Sequence, residues 1–490
     1  MPREAAGKVA CHTDATLYAV RLSGDTARDI AASAFNFLVR VGRGFTFRRR
    51  RRQVSGARHR PLVIAGIRTM KRFMQAVVML LLAGGLLTGC ASFGSNRIKY
   101  QIASQYAVTE PQFLRSLGQL LGPGIVAGNR VTALVNGEQI FPAMLAAVRG
   151  ARKTITFETY IYWSGEVGAQ FTEALIERAR AGVQVHLLID WFGSSRIDAG
   201  ALHRMEEAGV EIEKYHPLFW KGPLRVNHRD HRKILVVDGK LGFTGGAGIG
   251  DLWLGNAQDP AHWRDTQFKL EGPAVGQMQA AFMDNWMKTR NVVLHGEEYF
   301  PVLDPVGTDY AQMFFSSPRE GVESVRLMYL LSIAAARKSI RLASPYFVPG
   351  DLMVEGLIAA RERGVSVEVI LPGPNNDTHF VRLASRDRWE PLLRAGVKIY
   401  EYQPTMYHTK VMIVDDIWVS VGSANIDSRS FRLNDEANLN VFSAGFAAEQ
   451  IGIFEEDKIK SREMSMKEWR ERSLLHRLGE VMSGWFRSQL

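Results

Sequence analysis

HRKILVVDGKLGFTGG (His231–Gly246) and HTKVMIVDDIWVSVGS (His408–Ser423) are written in one pattern: H-x-K, four residues, Asp, six residues, then Gly with a small neighbour. Each crosses a strand-like apolar run, so His231 and Lys233, like His408 and Lys410, fall two apart and point to one side. The pairs Gly245-Gly246 and Gly422-Ser423 let backbone come close to a ligand. A lone histidine at a strand end is usually a satisfied surface or core residue. The same polar register written twice makes coincidence a poor explanation.

Working outward, the flanks repeat as well. ARKTI at Ala151 matches ARKSI at Ala336, and ALIERARAGVQVHLLI at Ala174 matches GLIAARERGVSVEVIL at Gly356. EAGVEIEKYHP at Glu207 matches RAGVKIYEYQP at Arg394. So long a period means two similar domains, not a solenoid. Within each copy, apolar runs of strand length alternate with helical spacing, which predicts an α/β class with mixed-sheet layers. The expected organisation is a tether over 90–128 with one short helix near Gln112–Leu121, a first domain over 129–310, a second over 311–456, and a tail over 457–490.

Two copies facing each other across a pseudo-two-fold axis bring two imidazoles and two ammoniums to one point. That set suits a phosphodiester. The lysines offset charge on phosphate oxygens. One neutral histidine attacks phosphorus to form a phosphohistidine. The other, protonated, gives its proton to the leaving alkoxide and later takes one from the acceptor. Imidazole allows these opposite states near neutral pH. No metal or other cofactor is needed, and the HxxH pair His228 and His231 lacks a third ligand at metal spacing.

The tandem motif resembles the phospholipase D superfamily. Within it, NHRDHRKILVVDG, WRDTQFKLEGPAV and GSANIDSRSFRLNDEANL are similar to bacterial cardiolipin synthases, over roughly 130–455. The resemblance implies two phospholipase D-like domains with one active site at their interface. It implies reacting histidines, His231 as nucleophile and His408 as acid/base, with Lys233 and Lys410 on the phosphate. It further implies that Ser423 and Asn425 support the phosphate pocket and that Asp265 and Glu436 orient the histidines. Asp238 and Asp415 complete the motif, in a catalytic or a structural part. The first copy departs from the family at Gly248, which stands opposite Asn425 and puts the symmetry of the pocket in doubt.

The implied activity is phosphatidyl transfer, making cardiolipin when the acceptor is phosphatidylglycerol. Water as acceptor makes a phospholipase D with the same residues. A superfamily nuclease is disfavoured by charge. Of 61 Lys+Arg and 50 Asp+Glu, residues 1–69 hold 14 and 4, leaving 47 and 46 for the rest. Of the net +11, +10 therefore belongs to the leader, and a body at +1 does not predict nucleic acid as partner. A silent lipid-binding protein is disfavoured because neither motif has lost its His, Lys or Asp.

MKRFMQAVVMLLLAGGLLTGCAS, from Met70, has the basic start, short apolar run and small residues of a secretory signal. LTGC resembles the bacterial lipobox, which implies cleavage before Cys90 and its lipidation. The body is then expected outside the cytoplasm on the cell envelope, facing the periplasm, with Ala91 favouring the outer membrane. Residues 1–69 before a complete signal read as a mis-assigned start. HPLFW (His216–Trp220) reads as core packing or as a loop dipping into lipid. In the tail, Trp469, Leu474, Leu475, Leu478, Met482, Trp485 and Phe486 fall near helical spacing among arginines. That describes a helix on a membrane surface or one packed on the body.

Overall fold

The structure, a computed structural model, describes residues 102–215, 227–318, 323–487 and 489–490. The leader, the signal, Cys90 and the HPLFW loop lie outside the described residues. In chain order the elements of the first half are α1 (Pro111–Leu121), β1 (Val126–Val135), α2 (Asn136–Gly150), β2 (Thr154–Thr159), α3 (Glu166–Arg180) and β3 (Gln184–Asp190). There follow α4 (Ala199–Glu207), β4 (Glu211–Tyr215), β5 (Arg229–Asp230), β6 (Lys233–Val237), β7 (Leu241–Gly245), β8 (Thr266–Glu271) and α5 (Val275–Arg290).

The second half repeats the series with β9 (Asp309–Ser316), α6 (Ser324–Ala335), β10 (Ser339–Ala343), α7 (Asp351–Glu362), β11 (Ser366–Pro372), α8 (His379–Arg386) and α9 (Trp389–Arg394). It continues through β12 (Lys398–Tyr402), β13 (Val411–Val414), β14 (Trp418–Gly422), α10 (Ser428–Arg432), β15 (Asn434–Phe442) and α11 (Ala444–Ile459). The chain closes with β16 (Ser461–Glu463), α12 (Met466–Arg470) and α13 (Leu474–Gly484).

The strands form one mixed sheet in which β1 and β9 meet at the centre. From there the first half runs β8, β7, β6, β2, β3, β4, and the second runs β15, β14, β13, β10, β11, β12. The duplication read in the sequence is thus a pseudo-two-fold in strand order. β2, β3 and β4 are parallel, as are β10, β11 and β12, while the HxK strands β6 and β13 run antiparallel to them.

Strands such as TITFET are buried along their whole length because both sheet faces are covered. α2, α3 and α4 pack one outer face of the first half, and α6, α7 and α9 the matching face of the second. A third core, with Phe282, Trp286, Phe446 and Phe454 of α5 and α11, spans both halves from the other side. This shared core and the β1–β9 pairing join the halves.

The domain boundaries expected at 128/129, 310/311 and 456/457 fall inside β1, β9 and α11. Nor is 457–490 a detached tail. β16 pairs with the edge strand β12, and Trp469 is buried and stacked on Trp389 with ring centroids 5.7 Å apart. Trp469 therefore does not belong with the other apolar tail residues, because it sits in a separate short helix with its own core pocket.

Candidate active site

Each HxK segment enters its strand from the interface between the halves. Lys233 opens β6 opposite Thr159 at the carboxyl end of β2, and Val411 opens β13 opposite Ala343 at the carboxyl end of β10. Carboxyl ends of parallel strands are where open α/β sheets place ligands. The histidines precede these strands and are pinned by the other half. The backbone N–H of His231 donates to the carbonyl of Asp435 at 3.0 Å, and that of His408 to the carbonyl of Arg264 at 2.8 Å. Both carbonyls belong to the residue just before an orienting carboxylate, so one backbone bond sets each ring beside its partner.

The side chains follow that lead. His231 Nδ1 lies 3.0 Å from Glu436 and His408 Nδ1 lies 2.7 Å from Asp265. Burial pushes both carboxyls up, but the adjacent histidine, the lysines and the hydrogen-bond donors together hold each below the ordinary carboxylate range. An ionised carboxylate only accepts, so each Nδ1 carries the proton and each Nε2 keeps its lone pair. Lys233 and Lys410 both reach back to donate to the carbonyl of their own histidine at 2.7 Å. All four side chains are buried.

Burial without a bound anion penalises the charged forms. It pushes His231 down to about 4 and His408 to about 3, with the lysines adding to the push. Burial also lowers Lys233 to about 8 and Lys410 to about 7. Both rings are therefore neutral at pH 7 in the free site. The opposite states expected from the sequence need a phosphate anion, whose charge raises every one of these groups.

The two halves brace their carboxylates differently. Glu436 accepts from Ser423 Oγ at 2.6 Å and from Ser430 Oγ at 2.7 Å. Asp265 accepts from Trp253 Nε1 at 2.9 Å and from the Thr266 N–H at 2.8 Å. Gly246, opposite Ser423, has no room for a side chain, because a Cβ would lie 2.3 Å from Asp265 Oδ1. A Cβ on Gly245 would lie 2.4 Å from Gln267 Oε1. A Cβ at either position would meet the protein's own side chains, so these glycines let Asp265 and Gln267 come close to the backbone.

Gly248 is explained in the same way. A Cβ there would sit 2.8 Å from Ile161 Cβ and 3.2 Å from the Trp253 ring. Trp253 thus fills the first half where the second has Asn425, and its indole supplies the bond that Ser423 supplies across the axis. Asn425 is buried and its Oδ1 has no hydrogen-bond partner among the described residues.

Asp238 and Asp415 stand away from the constellation, which favours the structural one of the two parts left open for them. Both sit at positive φ, 53° and 52°, in the turns after β6 and β13. Asp238 accepts from the N–H groups of Arg152, Lys153 and Thr154. Asp415 accepts from those of Arg337, Lys338 and Ser339. They clamp each HxK hairpin to the start of its neighbour, at the far end of the strand from the histidine.

Residues missed in the sequence include the aromatic walls. Tyr160 lies edge-on to His231 at 5.2 Å, and Trp263 packs on His408 at 5.3 Å. The x of the first motif, Arg232, is fully buried and binds Asp284 at 2.9 Å and the Ala281 carbonyl at 2.7 Å. Nothing local marks these residues; they are set by long-range packing. Among the described residues no group of three or more His, Cys, Asp or Glu side chains is arranged to hold a metal ion.

The family model described as cardiolipin synthase, phospholipase D-like domain, matches residues 144–254 and 329–458, one segment in each half. Cardiolipin synthase 1 of Bacillus cereus is 35% identical over 74% of this chain and 73% of its own length. Cardiolipin synthase A of Pseudomonas fluorescens is 35% identical over 75% and 76%. Among solved structures, phosphatidylserine synthase of Haemophilus influenzae covers 77% of this chain and all of its own, with a TM-score of 0.59 and 14% identity. That last likeness speaks for the fold.

Proposed function

The chain belongs to the cardiolipin synthases with phospholipase D-like domains, and from that premise we propose that it joins two phosphatidylglycerol molecules into cardiolipin. His231 Nε2 attacks the phosphorus of the first lipid, forming a P–N bond as the P–O bond to glycerol breaks. His408, protonated once the phosphate anion is bound, gives its proton to the departing glycerol alkoxide. The terminal hydroxyl of the second lipid then loses its proton to His408 Nε2 and attacks phosphorus. The P–N bond breaks, His231 returns neutral, and cardiolipin leaves. Lys233 and Lys410 stand beside the phosphate oxygens, where charge grows in both steps.

The observation that carries this reading is the exchange of carboxylates: each histidine is oriented by the opposite half, so two neutral Nε2 atoms share one buried site with two lysines. The test is lipid mass spectrometry of the purified chain with phosphatidylglycerol in mixed micelles. Cardiolipin and free glycerol are expected, absent with His231→Ala. Phosphatidic acid in place of cardiolipin would make water the acceptor and overturn the synthase reading.

We further place the body on the bacterial envelope, anchored through lipid on Cys90. The signal-like layout from Met70 and LTGC supports this. Palmitate labelling is expected for the native chain and not for Cys90→Ala; equal labelling of both would contradict it.

A further inference from the structure

Helix α13 and the turn after it are amphipathic in the wrong sense for a packed segment. Leu478, Val481 and Met482 of the helix and Trp485 and Phe486 of the turn follow the i, i+3, i+4, i+7, i+8 spacing that ordinarily turns toward a core. Here they are 47 to 75% exposed. The face turned to the body is polar: Glu480 is 2% exposed and Ser483 is buried with it. Glu480 accepts from Arg386 Nε of α8 at 2.9 Å and from Arg472 Nη2 at 2.9 Å. Gly484 gives the close fit, since a Cβ there would lie 2.5 Å from Asp387 Oδ2. The helix is thus seated by a buried ion-pair cluster and holds its apolar stripe outward.

The stripe does not stand alone. Phe380 of α8, itself exposed, meets Phe486 with ring centroids 5.8 Å apart and widens the patch. Exposed Arg470 and Arg477 and half-buried Arg487 flank it. The chain end is tied toward the catalytic site. The N–H of Arg429 donates to the Leu490 carbonyl at 3.0 Å, and Arg429 follows Asn425 by four residues.

We infer that the outward face of α13, with Phe380, is a docking surface that rests the enzyme on an anionic phospholipid bilayer with the active-site rim toward the lipid. An apolar stripe with Trp and Phe, flanked by arginines, fits the headgroup–acyl boundary. The choice of lipid as partner rests on the phosphatidyl-transfer reading of the site. It adds to that reading an element that presents lipid to the site independently of any anchor at Cys90.

The test uses the full chain with Cys11→Ser and Cys90→Ser, carrying an environment-sensitive fluorophore at Met482→Cys, and a control with the fluorophore at Val302→Cys. On phosphatidylglycerol vesicles the label at 482 is expected to shift blue and be quenched by spin-labelled acyl chains, with a smaller response on phosphatidylcholine. The label at 302 stays water-like. A water-like label at 482 on vesicle-bound protein would overturn the proposal. So would a blue shift that grows with protein concentration and needs no vesicles, since that marks a second copy as the occupant.

Turnover separates this proposal from the function beneath it. Leu478→Ser/Trp485→Ser/Phe486→Ser is expected to lose about 10-fold or more on vesicles, as apolar contact is removed, while keeping its rate on monomeric short-chain phosphatidylglycerol. Equal rates of variant and parent on vesicles would overturn the docking role. Insertion of the label in a protein that makes no cardiolipin would sink the synthase reading and leave the docking surface standing.

Discussion

His408 Nδ1 lies 2.7 Å from the carboxylate of Asp265, a residue of the other half of the chain, and His231 repeats the arrangement with Glu436. Neither half therefore carries a complete reacting group. Asp265→Asn and Glu436→Gln keep the shape of each partner but lose the charge that fixes the Nδ1–H tautomer. In each variant kcat should fall about 100-fold or more, with KM nearly unchanged. A loss under about 3-fold in either variant would deny the carboxylates an orienting role.

Trp253 braces Asp265 only in the first half. Trp253→Phe keeps an aromatic ring but removes the indole N–H and the outer ring atoms that pack on Gly248. Rate should drop about 10-fold at a stability cost near 1 kcal/mol. Full activity in a folded variant would make Trp253 a wall and nothing more.

Asp238 and Asp415 act on the fold. Asp238→Asn or Asp415→Asn weakens three backbone hydrogen bonds and should lower stability by about 1–3 kcal/mol. The folded fraction should keep its kcat. An inactive variant with unchanged melting temperature would restore these residues to the chemistry.

Burial sets a pH signature. Folded His231 and His408 are held near 4 and 3, against about 6.5 in the unfolded chain. Between about pH 4 and 6.5 the unfolded chain binds more protons, so stability rises with pH across that window and is lost as pH falls through it. A phosphate-like oxyanion should reverse the penalty inside the site. Calorimetry of its binding near pH 7 in buffers of different ionisation enthalpy should register proton uptake. Binding without proton uptake would contradict the account of how His408 becomes an acid.

The duplicated HxK pair and the two-fold sheet were legible because strand period and motif spacing are local. Asp265 and Glu436 came only through resemblance, since nothing in the spacing says that each serves the opposite half. The part of Asp238 stayed open in the sequence, because only the fold shows five residues of strand carrying it to the far end from His231. At Gly245 and Gly246 the spacing did not reveal that Gln267 and Asp265 crowd the backbone, since both arrive from a neighbouring strand and its approach. For the tail, periodicity marked α13 but not its direction. That direction is set by Glu480, which finds Arg386 from 94 residues away.

The most direct measurement of the central claim is to catch the covalent intermediate. The chain would be mixed with phosphatidylglycerol, stopped during turnover in cold, mildly basic denaturant, where the P–N bond on histidine and the acyl esters both survive, and digested for mass spectrometry. The account predicts a phosphatidyl group on the peptide containing His231, and none with His231→Ala. Cardiolipin formed with no adduct, or an adduct on His408 alone, would contradict it.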